Sequence, residues 1–124
     1  MKKTLEFYER KNNSDGTTAF LFRGQAVTVV IKFANGPALG FVYLDNDERP
    51  PAKLYVKEET IERDGNRMLY LYSRSPRFKD VVFMSLEGYT DEPYAGIMTR
   101  SDHDDEINQR YINAIPGYSR YIRH

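Results

Sequence analysis

"KLYVKEETIERDGNRMLYLYSR", residues 53–74, is the stretch whose reading decides the fold. Two alternating runs flank Asp64-Gly65, and an Asp-Gly pair in that setting is among the strongest short-range hairpin signals. The spacing predicts strands over 54–62 and 67–75, with Asp64 and Gly65 as the central residues of a two-residue turn. Arg63 then pairs with Asn66, Ile61 with Met68, Glu59 with Tyr70, Lys57 with Tyr72 and Tyr55 with Arg74. Side chains alternate along a strand, so all of these share one face. The other face carries Leu54, Val56, Leu69 and Leu71, an apolar side interrupted by Glu58. A three-residue loop with a bulge shifts the pairing by one and mixes the two classes, so the sorted register is the expectation.

The same signals run outward in both directions. "TLEFYER" alternates and meets a turn at "NNSDG"; "TTAFLFR" and "AVTVVIKF" follow, the latter with Val27, Val29, Ile31 and Phe33 on one side. "ANGPALG" reads as a break before "GFVYLD", and "NDERPP" as a loop, since proline is excluded from central strands. "KDVVFMSLEG" is apolar on both faces, which places it centrally. Residues 89–96 read as loop. In "SDHDDEINQRYINAI" the period changes to that of a helix over 102–115, capped by Ser101 with Asp104 three positions on. Acids fill its first turn, Ile107, Tyr111 and Ile115 face the sheet, and Pro116-Gly117 ends it. The expected fold is mainly β: an antiparallel barrel or sandwich of about six to seven strands with one short C-terminal helix.

Bulk properties set limits on function. A chain of 124 residues is one domain, 1–124, with 40% hydrophobic and 29% charged residues, the proportions of a globular chain. Neither a membrane-length apolar run nor a signal-type leader is evident, which makes the cytoplasm the expected location. There is no cysteine, which removes disulfides and thiolate chemistry. Eighteen basic and eighteen acidic residues cancel, against a protein that coats duplex nucleic acid by bulk charge. The charges are nonetheless blocked by sign. Arg63, Arg67, Arg74, Arg77 and Lys79 precede an acidic block over 80–106 in which Arg100 is the lone cation, and the charges after Ile107 are all basic.

The outward face of the predicted hairpin is the candidate site. Tyr55, Tyr70 and Tyr72 stand beside Lys57 and Arg74, with Arg77, Phe78 and Lys79 at the rim. Flat aromatics stack on bases while cations track a phosphate backbone, so single-stranded nucleic acid is the expected ligand. Tyrosine and arginine also dominate interface hot spots, which gives the alternative of a protein-interaction module, an inhibitor or adaptor. Tyrosines that merely favour strands are the bland account of the same residues, and homo-oligomerisation through the sheet requires neither partner. The tail "PGYSRYIRH" repeats the basic aromatic composition. "SDHDDE" and "LDNDE" carry metal-type residues, but consecutive residues fan outward and the second run lacks the glycine and glutamate of a calcium loop. No nucleophile elbow, phosphate loop or dinucleotide motif occurs. The expectation is a non-enzymatic binding domain without catalytic residues, cofactor or metal.

Overall fold

The computed structural model describes residues 2–34, 36–62, 64–87 and 92–114. Eight antiparallel strands follow one another around a closed barrel: β1 (Lys3–Asn12), β2 (Thr18–Gly24), β3 (Val27–Ala34), β4 (Gly36–Leu44), β5 (Ala52–Ile61), β6 (Arg67–Ser73), β7 (Val81–Leu86) and β8 (Ala95–Thr99). A 3-10 turn (Pro76–Phe78) joins β6 to β7, and helix α1 (Arg100–Ala114) follows β8 directly. The barrel closes where Lys3, Thr4 and Leu5 pair with Ile97, Gly96 and Ala95. Closure leaves no open edge along that seam, which solves the exposed-edge problem of an isolated sheet.

Eight strands enclose a space just wide enough for side chains to fill. Phe20, Phe22, Val29, Ile31, Leu54, Leu71 and Phe83 fill it and are almost wholly buried. Gly40 makes room for this packing: a Cβ there would lie 2.9 Å from the Leu54 Cβ and 3.1 Å from Ile31 Cδ1. The 3-10 turn closes one end by placing Phe78 inside, its ring 5.8 Å from Phe83 and edge-on. Arg77 beside it pairs with Asp47 of the β4–β5 loop at 3.3 Å. Hydrogen bonds from Arg49 and the nearby Arg49 and Arg77 charges hold the Asp47 carboxyl well below the usual carboxylate range.

A second apolar cluster lies outside the barrel. Tyr70, Val82, Met84 and Met98 point outward from β6, β7 and β8, and Ile107 of α1 packs on them. This explains why β7 is apolar on both faces: one lines the interior and the other lies under the helix. Val82 and Phe83, adjacent in sequence, are 0% and 2% exposed.

Four sequence expectations change. The strand count is eight, because the short run Ala95–Thr99, placed partly in a loop, is β8 and completes the barrel. "GPALG" belongs to β4 despite Pro37. Only Leu39–Val42 of that strand pair with β5, and Pro37 itself sits with Ala38 in a bulge opposite Phe33, so its missing N–H interrupts no central ladder. The helix begins at Arg100, and its cap is Thr99 Oγ1, which accepts a 3.1 Å hydrogen bond from the Asp102 N–H in place of the expected Ser101. Ile107 faces the sheet as expected, whereas the Tyr111 side chain, Ile115, Pro116, Gly117 and the tail lie outside the described residues.

The hairpin register is the fourth correction. Glu62 and Asn66 close the turn through a 2.8 Å bond from the Glu62 N–H, and Gly65 takes φ +86°. The loop is therefore the three-residue type with glycine in the left-handed region. Ile61 faces Arg67, and Glu58, not Glu59, faces Tyr70. A bulge at Lys57 then moves the pairing by one more residue, so Tyr55 faces Tyr72 and Leu54 faces Ser73. Near the turn the inward positions are Glu59 and Ile61, at a mouth open to water where Ile61 is 73% exposed. The bulge returns Leu54 and Val56 to the interior. Two one-residue shifts keep the aliphatic side inward where burial is deepest.

Candidate functional site

The bulge also builds the candidate site. With Tyr55 opposite Tyr72 on the outer surface, the lower halves of β5 and β6 present a pair of rings beside the start of α1. Lys57, Glu58, Tyr72, Ser73, Arg74 and Arg100 line a groove of about 370 Å³ there. Helix α1 leaves β8 without a linker, which brings Arg100 over the Tyr72 ring, its Cζ 5.0 Å from the centroid. Arg74 sits likewise over Tyr55 at 4.6 Å. Lys57, Arg74 and Arg100 are exposed and form no ion pair among the described residues. Three cations against the single carboxylate of Glu58 leave the groove basic, although the whole chain is neutral.

His103 forms the back of this arrangement. It is fully buried, its ring 4.4 Å from Tyr70 and 5.8 Å from Tyr72. Glu58 Oε2 lies 3.3 Å from His103 Nε2, near enough for an ion pair with a protonated imidazole but without hydrogen-bond alignment. Burial pushes the Tyr72 hydroxyl above its ordinary pKa, and the Glu58 and Asp104 charges add to that shift. Tyr72 is therefore an un-ionised ring and hydroxyl at neutral pH.

The groove gathers Lys57, Tyr72 and Arg74 of the expected face, and Tyr55 stands outside its lining, under the Arg74 guanidinium. Tyr70 is 0% exposed beneath α1 and does not line this groove. Phe78 is inside the barrel, Arg77 is engaged with Asp47, and Lys79 is exposed but outside the groove lining. Sequence reasoning missed Arg100, Glu58 and Ser73. Arg100 had carried one signal, as the only cation of its acidic block, but its contact with Tyr72 spans 28 residues and depends on the barrel closing. The acids of "SDHDDE" open α1, with Asp102 in the first turn, where the helix dipole favours negative charge. No three His, Asp or Glu side chains converge on a metal-sized site among the described residues. None of the described helices is long and apolar enough to cross a membrane.

Compared with protein-family models, with curated proteins and with solved structures, the chain matches none.

Proposed function

We propose that this chain is a non-enzymatic binding domain whose basic groove takes single-stranded nucleic acid. The observation that supports this reading is the convergence of Lys57, Arg74 and Arg100 on one groove with Tyr72 in its lining. A space of about 370 Å³ suits one nucleotide-sized unit. The Arg74 and Arg100 guanidiniums, laid on tyrosine rings, offer flat charged surfaces on which a base can stack while their N–H groups reach phosphate oxygens. Neutral overall charge fits a ligand followed strand by strand rather than a duplex held by a broad basic surface.

The test is a titration of short labelled DNA and RNA oligomers at two salt concentrations, read by fluorescence anisotropy. Arg74→Ala and Arg100→Ala are each expected to weaken binding across sequences and flatten the salt slope by roughly one unit. Tyr72→Ala is expected to cost about 1–3 kcal/mol, and Tyr72→Phe almost nothing, because stacking uses the ring. Absence of binding at low salt by folded protein overturns the proposal. It leaves a protein partner, for which Tyr72→Phe is costly if the hydroxyl is buried against that partner.

A further inference from the structure

Helix α1 packs on the outer side of the barrel, and beside it lies a second pocket, of about 210 Å³, that shares no lining residue with the groove at Tyr72. Its floor is apolar. Met84 is buried and Met68 half-buried there, and Tyr94 packs beside them. Its rim is charged. Lys2 precedes β1, Glu62 follows β5, and Glu106 and Arg110 stand on successive turns of α1.

Two polar groups of this pocket lack what they need. The Tyr70 hydroxyl is buried with no hydrogen-bond partner, and the charges that act on it are those of Glu106, Arg110 and Glu62, so it points toward the rim. Arg110 bonds the Glu62 carboxylate at 3.0 and 3.2 Å. Glu106, by contrast, stands 3.7 Å from both Lys2 Nζ and Arg110 Nη2, beyond the roughly 2.7–2.9 Å of a charge-assisted hydrogen bond. Its side chain is only 27% exposed, so water solvates it in part. A buried donor without an acceptor and a half-covered carboxylate both gain when a ligand supplies the missing bonds.

We propose that this pocket binds a free α-amino acid whose apolar side chain has the size of leucine or methionine. The ammonium of the ligand donates to Glu106. Its carboxylate accepts from the Tyr70 hydroxyl and faces Arg110 and Lys2, and its side chain lies on Met68 and Met84. The charge layout selects a zwitterion. A simple anion meets Glu62 and Glu106, and a simple cation meets Lys2 and Arg110, whereas a ligand with both signs on neighbouring atoms sets each against its opposite. The size agrees, because drug-sized ligands take pockets of about 300–1,000 Å³ and this one is smaller. Unbranched methionine side chains also adapt to the chain that enters.

This site is separate from the groove and stands or falls independently of the nucleic-acid reading. Methyl-labelled methionine reads it directly by nuclear magnetic resonance, since two of the four methionines line the pocket. Titration of the full chain with L-leucine is expected to shift the Met68 and Met84 methyl signals to saturation. N-acetyl-leucine, which lacks the ammonium, and leucine amide, which lacks the carboxylate, are each expected to bind about tenfold more weakly or worse, and so is glycine. Glu106→Gln and Tyr70→Phe are each expected to weaken leucine binding about tenfold. Tyr70→Phe does so while remaining at least as stable as wild type in urea, which separates lost recognition from lost folding. Absence of a saturable shift at millimolar leucine in the folded protein overturns the proposal. So does binding that N-acetylation and amidation leave unchanged, or a Tyr70→Phe protein that binds leucine as wild type does.

Discussion

Tyr70→Phe removes one oxygen atom from the most closely covered tyrosine among the described residues and is expected to stabilise the protein. The ring is 0% exposed, packed under α1 with His103 at 4.4 Å, and none of those contacts involves the hydroxyl. The hydroxyl itself is buried with no hydrogen-bond partner. Thr60 is close enough to act on it and, while donating to the Glu62 carboxylate at 3.2 Å, keeps an oxygen free to accept, but the pair falls outside hydrogen-bond geometry. A buried polar group left unsatisfied costs about 1–3 kcal/mol, so its removal is expected to return about 1 kcal/mol after the small void it leaves. For a chain of this size that raises the melting temperature by about 2–8 °C. Urea denaturation followed by circular dichroism, with calorimetry alongside, measures both. Tyr70→Ala serves as the contrast: it removes the ring and is expected to cost about 3–5 kcal/mol. A Tyr70→Phe protein less stable than wild type by more than about 0.5 kcal/mol refutes the reasoning, since the hydroxyl would then have a partner worth keeping. Nucleic-acid titrations of the same variant are expected to match wild type, because Tyr70 does not line the groove.

Burial raises the pKa of both Tyr70 and Tyr72, so the unfolded chain releases these protons at lower pH than the folded one. Their contribution to stability is complete below the ordinary phenol value of about 10 and is lost as pH rises through the folded values; Tyr70→Phe is expected to reduce that slope in alkaline denaturation curves. Gly40→Ala forces a methyl to within 2.9 Å of Leu54 and is expected to cost about 1–3 kcal/mol in the same denaturation assay, with wild-type stability showing that the barrel interior can yield there. Ile107→Ala is expected to cost about 1–3 kcal/mol, below the value for full burial because Ile107 is only half-buried, and a cost under about 0.5 kcal/mol would mean that α1 is not docked through it.

The groove shows where sequence reasoning reached and where it stopped. Tyr55, Lys57, Tyr72 and Arg74 lie on one hairpin, and alternation alone predicts that tyrosines and aliphatic residues separate onto opposite faces. That separation survives in the structure, with Tyr55, Tyr70 and Tyr72 outward and Leu54, Val56, Leu69 and Leu71 inward. The expected partners of those residues did not survive. A turn of three residues and a bulge of one leave almost no trace in a hydrophobic pattern, because each is a single residue and the second compensates the face swap of the first. Tyr70 and Tyr72 read alike in sequence, yet one is sealed and the other open, and the difference is the path of α1.

Local chemistry was thus sufficient for the elements: Asp64-Gly65 marks a hairpin, the β-branched run at 27–33 marks a strand, and the change of period after Ser101 marks a helix. Those signals act over a few residues, within reach of steric and hydrogen-bonding preferences that each segment carries alone. Closure of the barrel, the burial of Phe78 and the meeting of Arg100 with Tyr72 were decided only in the tertiary structure. Each joins segments far apart in the chain. What selects such a contact is the shape of the space left when all eight strands are in place, a property that no single segment contains.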